Sequence, residues 1–318
     1  MKVQYVSVAI AAIVLIGRAS SWASQIYLTD DSGKIERANG DGSNLQTIVN
    51  TGSAIPHGIA LNPVSGKMYW TTSLDTIQSA NLDGTGVQTT VPSAGGGPIG
   101  IALDLADSKM FWADNGLGVI REANLDGSNM QTVVSSVTKQ PAAIALDLPD
   151  GKMYWTDSGL NEIFRSNLDG SSIQTVLSVN ATGSMGLALD LVGQKMYWTN
   201  DTDVIRRANL DGSGVETLVS QADHILRGIA LDLVDGEMLW AVQGLNLVRE
   251  ANLDGSNEQT IISSGLAGPE GIAIAASVPE PSSLTLLVIA AVVGLTVVRR
   301  AGCCAAQFTG TESAYVGG

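Results

Sequence analysis

Three ionisable side chains, His57, Arg227 and Glu270, each stand one residue ahead of a Gly-Ile-Ala segment that recurs along the chain. An imidazole, a guanidinium and a carboxylate brought together can bind a small anion or work as an acid–base pair. The equivalent positions in the other copies hold Ile99, Ala142 and Met185. One carboxylate among three apolar residues makes a poor metal site, because divalent cations want several convergent oxygens. No Gly-x-Ser-x-Gly nucleophile elbow occurs, and His57 and His224 are the only histidines. A histidine-rich centre is therefore impossible. His57, Arg227 and Glu270 stand as candidate ligand-binding residues, with no catalytic residue, metal or cofactor assigned.

What must position them is a repeat. Trp70, Trp112, Trp155, Trp198 and Trp240 are spaced by 42, 43, 43 and 42 residues. Asn-Leu-Asp-Gly begins at Asn81, Asn124, Asn167, Asn209 and Asn252, with Asn39-Gly40-Asp41-Gly42 as a degenerate copy. Gly-Ile-Ala-Leu starts at Gly58, Gly100 and Gly228, with variants from Ala143, Gly186 and Gly271. Each unit resolves into four short strands. Ile59-Ala60-Leu61 is continuously apolar, as in a strand buried on both sides. Met68 to Thr71 follows a turn containing Gly66. A third strand such as Ile120 to Leu125 runs into Asp126-Gly127, a strong hairpin signal, and Met130 to Val134 forms the fourth. Four strands per unit, six times over, predict an all-β six-bladed propeller.

The register adds a test. Gln25-Ile26-Tyr27-Leu28 matches a second strand, and Gly271 to Ala275 matches a first strand. Pairing them completes a blade and closes the ring, leaving no open sheet edge. Closure also brings Glu270 beside His57. The variable loops then share the face of the mouth, while the turns into Tyr-Trp and the Asn-Leu-Asp-Gly turns share the other. Variable loops on a rigid scaffold are where binding is usually housed. The Asn-Leu-Asp-Gly turns offer one carboxylate each, short of the six to eight oxygens that calcium wants.

Composition narrows the function. The 318 residues carry a formal charge of −14, which argues against a nucleic-acid partner. The only cysteines, Cys303 and Cys304, are adjacent and outside the repeats, so the domain has neither disulfides nor a thiolate metal site. Its stability must come from its core.

The ends read as transport signals. Residues 1–23 form a signal peptide, with an apolar run from Val6 to Ile16 and Ser21-Trp22-Ala23 before the cut. Residues 277–300 contain Pro279-Glu280-Pro281, a transmembrane helix over 284–298 and the basic stop Arg299-Arg300. This pattern resembles a PEP-CTERM sorting signal, which implies an exosortase-type processing enzyme and transient anchoring in a bacterial inner membrane. Residues 301–318 continue past the usual end of such a signal and are read as a disordered tail.

The domain over 24–276 carries Tyr154-Trp155-Thr156-Asp157, with Tyr197-Trp198-Thr199-Asn200, Tyr69-Trp70-Thr71-Thr72 and Phe111-Trp112-Ala113-Asp114 as near copies. Tyr27-Leu28-Thr29-Asp30 has lost its Trp, and Leu239-Trp240-Ala241-Val242 keeps little else. It resembles the YWTD propeller of the low-density lipoprotein receptor family. The resemblance implies a protein-interaction module, in which Tyr and Trp pack between blades and the Asp (here Asp30, Asp114 and Asp157) ties neighbouring blades. The cysteine-rich modules that flank animal members are absent. The expectation is a non-enzymatic binding or scaffold protein of the bacterial cell surface or extracellular matrix, recognising protein or exported polysaccharide. A hydrolase or lyase at the channel mouth is the alternative, and it needs at least three polar side chains converging in the channel.

Overall fold

The computed structural model describes residues 24–135, 138–179, 184–200, 204–220 and 225–275. The signal peptide, the sorting segment with its apolar stretch 284–298, both cysteines and the tail lie outside the described residues. Among those described, no helix is long and apolar enough to cross a membrane.

In the described residues twenty-four strands form six antiparallel four-stranded sheets. Blade 1 combines Pro269–Ala275, Gln25–Asp30, Lys34–Asn39 and Gln46–Asn50, in that order from the axis outward. The innermost strands of blades 2 to 6 are Pro56–Asn62, Pro98–Asp104, Pro141–Asp147, Ser184–Asp190 and Leu226–Asp232. Each touches its two neighbours, and Pro269–Ala275 touches both Pro56–Asn62 and Leu226–Asp232, so the ring is closed. The closing pair has the expected register, from Gln25 opposite Ala275 to Leu28 opposite Ile272. The last strand starts at Pro269 rather than Gly271. The third strand of blade 3 ends at Asn124 rather than Leu125, because the Leu125 N–H leaves the ladder for the Ser108 carbonyl.

The core lies in the seams between blades. Each hydrophobic cluster joins two neighbours, with the motif aromatic of one blade against the Trp of the next: Tyr27 with Trp70, Tyr69 with Trp112, Phe111 with Trp155, Tyr154 with Trp198, and Tyr197 with Trp240. The five tryptophans of the repeats are fully buried. The sixth seam, between blades 6 and 1, sets Leu239 against Leu28. The two substituted motif positions, Leu28 for Trp and Leu239 for Tyr, thus meet in the same seam. Among the described residues all six clusters lie within 24–275, inside a unit that is compact by itself.

Candidate functional site: the channel mouth

The inner strands place seam and mouth residues side by side. Gly58, Gly100, Gly228 and Gly271 lie so close to the next inner strand that a Cβ would collide with the carbonyl of Ile99, Ala142, Glu270 or His57, respectively. The motif threonine bridges the same gap. Thr199 Oγ1 accepts from the Gly186 N–H at 2.9 Å in its own blade and donates to the Arg227 carbonyl at 2.6 Å in the next. Thr71 and Thr29 do the same, toward Ile99 and His57. The blade-to-blade tie expected of the motif Asp thus belongs to the Thr. Asp114 and Asp157 instead accept backbone N–H groups of the linkers that enter their own blades, at Gly96 and at Lys139 and Gln140. Asp30 holds its own turn through the N–H groups of Ser32 and Lys34. The aspartate carboxylate at the end of the second strand reaches turns and linkers, whereas the buried hydroxyl one residue earlier points into the seam.

With the glycines fixed, the preceding residues line the opening of a channel of about 230 Å³. Its wall is apolar, built by Ile59, Ile101, Ile144, Leu187, Ile229 and Ile272, one from each blade. The rim is polar on one side only. His57 Nδ1 meets Glu270 Oε2 at 2.8 Å, the pairing that ring closure implies. Arg227 does not reach Glu270 directly. Its Nε donates to Gln243 Oε1 at 2.8 Å, and Gln243 Nε2 donates to Asp31 Oδ2 at 2.8 Å and to Glu270 Oε1 at 3.2 Å. A continuous chain of five side chains therefore runs around the rim from blade 2 through blade 1 to blade 6. Opposite them, Ile99 lines the opening, Ala142 is buried without lining it, and the side chain of Met185 lies outside the described residues.

The electrostatics follow from this chain. Burial pushes Glu270 up, but the hydrogen bond and charge of His57, the charge of Arg227 and a hydrogen bond with Asp31 outweigh it and hold its carboxyl below the ordinary range. Asp31 is raised, first by burial and then by the Glu270 charge, against the Gln243 hydrogen bond and the Arg227 charge. The two acids are thus separated in proton affinity, and Gln243 orients both.

Asp31 and Gln243 are the site residues that the repeat does not reveal. Both sit in turns between second and third strands, where the units differ most. Gln243 opens a short 3₁₀ turn, Gln243–Leu245, and its N–H is anchored on the Ile225 carbonyl at 2.9 Å. Such linker-to-turn bonds, also seen from Ser73 to Ile55, Asn115 to Gly97 and Ser158 to Gln140, put the variable turns on the mouth face. The opposite face is uniform. Leu82, Leu125, Leu168, Leu210 and Leu253 bond back to the turn before their own Tyr-Trp strand. In each Asn-Leu-Asp-Gly turn the Asp is spent on the turn itself. Asp126 Oδ1, for example, accepts both the Ser128 hydroxyl and the Ser128 N–H, which lower its pKa.

The fold and mouth define a closed six-bladed β-propeller whose axial channel opens onto a half-polar rim. Two of its repeats match the family model described as "Low-density lipoprotein receptor repeat class B", over residues 108–148 and 151–191, which run from the second strand of blade 3 to the first strand of blade 5. No curated protein matches the chain. Among solved structures, a chain from the "Crystal structure of Nidogen/Laminin Complex" is similar at 23% identity and a TM-score of 0.74. The match covers 80% of this chain and 99% of that one, and it shows the shared fold.

Proposed function

We propose that this chain is an exported, non-enzymatic binding module that captures a protein partner on its mouth face. The observation that carries the reading is the rim chain His57–Glu270–Gln243–Arg227/Asp31 beside an apolar channel. A partner segment with a polar tip flanked by an apolar side chain fits both halves at once. Small numbers of placed polar groups around an apolar pocket are the usual arrangement of a recognition site. The similar solved structure comes from a complex of two proteins, which supports a protein partner over an exported polysaccharide. The end segments support the setting: residues 1–23 for export, and 277–300 for passage through an inner membrane to an exosortase-type enzyme and so to the cell surface or matrix.

The test is capture from culture matrix by the 24–275 domain. Replacing Asp31, Gln243 and Glu270 together by Ala should abolish capture, whereas Asp126→Ala on the opposite face should leave it intact. Protease treatment of the matrix should remove the captured species. Survival of that treatment points to polysaccharide instead. Equal capture by the triple variant overturns the mouth as the binding site.

The hydrolase or lyase reading draws on the convergence of Asp31, Gln243 and Glu270 at the rim. These groups are engaged with one another, and no serine or cysteine nucleophile joins them among the described lining residues. Turnover of an ester, lactone or glycoside that is lost in both His57→Ala and Glu270→Gln would establish it.

A further inference from the structure

The seam between blades 6 and 1 differs from the other five in more than its missing aromatics. On the side of blade 1 that faces blade 6, Ile26, Leu28 and Asp30 alternate along one strand, and Glu36 and Ala38 lie beside them on the next. Asp30 is fully buried and Glu36 is 2% exposed. Glu36 Oε2 meets no hydrogen-bond partner among the described residues. The corresponding place in blade 3 is filled differently. There Arg121 stands where Glu36 does, and its Nε lies 3.3 Å from Oδ2 of Asp114, the counterpart of Asp30. Blade 3 pairs its buried carboxylate with a cation, and blade 1 sets a second carboxyl against it.

We propose that Asp30 and Glu36 form a proton-dependent lock on the seam that closes the ring. While Glu36 holds a proton it sets no like charge against Asp30, whose carboxyl is already satisfied by the N–H groups of Ser32 and Lys34. When the proton leaves to solvent, two carboxylates share a buried interface and the seam loosens. The groups turned toward Glu36 are few. Asp30 repels its charge, Lys34 at the head of its own strand favours it, and Thr47 on the fourth strand offers a hydroxyl. Across the seam stand apolar Leu239, Val248 and Ile262, and opposite Leu239 on the next strand Glu250, which takes a hydrogen bond from Gln259. Burial and then Asp30 dominate, and they push the Glu36 carboxyl up to about 7. A folded-state value raised this way gives stability that is fully present below the ordinary carboxylate range and lost as pH rises through about 7. The same Asp30 holds the turn that carries Asp31 into the rim chain, so the lock and the mouth share a turn. The proposal requires no ligand and stands or falls apart from the binding reading.

The test compares the 24–275 domain with Glu36→Gln. The two should unfold at the same temperature below the ordinary carboxylate range, the gap should open as pH rises from there and be complete just above about 7, and the variant should then be the more stable by several degrees. Amide exchange of 269–275, taken relative to that of 98–104 in the same sample, should rise with pH in the parent and stay level in the variant. Coincident unfolding curves across that range overturn the lock. Should Glu36→Gln fail to fold, the carboxyl ¹³C titration of Glu36 in the parent decides: a midpoint near neutrality supports the proposal, and one in the ordinary carboxylate range sinks it.

Discussion

His57 and Gly58 are neighbours in the chain, yet they obey opposite rules. Gly58 belongs to a seam, where the same residue types return around the ring: a glycine or alanine, a threonine hydroxyl in four of the six blades, an aromatic on a tryptophan. His57 belongs to the rim, where His, Ile, Ala, Met, Arg and Glu follow one another with no pattern. Repetition marks what every blade must do to meet its neighbour. Its loss at the adjacent position marks where packing no longer dictates the side chain, and where recognition is free to do so.

The largest effect should come from breaking a seam. Thr199→Val keeps the shape but leaves the Gly186 N–H and the Arg227 carbonyl unpaired in a buried gap. The expected loss is about 3 kcal/mol, measured by denaturant unfolding, since each orphaned buried group costs roughly 1–3 kcal/mol. A change below about 0.5 kcal/mol, the scatter of neutral surface substitutions, would show that the hydroxyl is not the tie. At the rim the signature should be pH rather than size. Glu270 is held below the ordinary carboxylate range, so its contribution is present above that range and lost as pH falls through its lowered value. Glu270→Gln should therefore be the less stable protein near neutrality and converge with the parent in acid. Parallel curves would mean that the His57 and Arg227 contacts do not favour the ionised form. The smallest effect belongs to Asp126→Ala. It removes the Ser128 cap from one exposed turn and should lower the unfolding temperature only slightly, with the mouth untouched.

The fold was legible because its signals repeat: five evenly spaced tryptophans and six hairpin turns constrain the architecture far more than any one strand does. Ring closure and the nearness of His57 to Glu270 were legible for the same reason, since they follow from register alone. For the rim residues Asp31 and Gln243 only their turns were legible, as the variable segments 30–33 and 243–246; which side chain of such a turn reaches the rim was not, because no other unit repeats it. Nor was the role of the motif threonine. Its hydroxyl, one residue before the more conspicuous Asp, bridges two strands that are far apart in sequence, and only the packed seam reveals it. Glu36 lay between these cases: aligning Asp30 and Glu36 with Asp114 and Arg121 exposes a missing cation, although it does not say that the position is buried.

The antiparallel pairing of Gln25 with Ala275 has a mechanical consequence. Both strand ends lie at one edge of the same pair, so a tether pulling them apart would load its hydrogen bonds one after another instead of all at once. Tension between the two ends would peel Pro269–Ala275 away like a zipper, within the blade that borders the seam where no tryptophan is described.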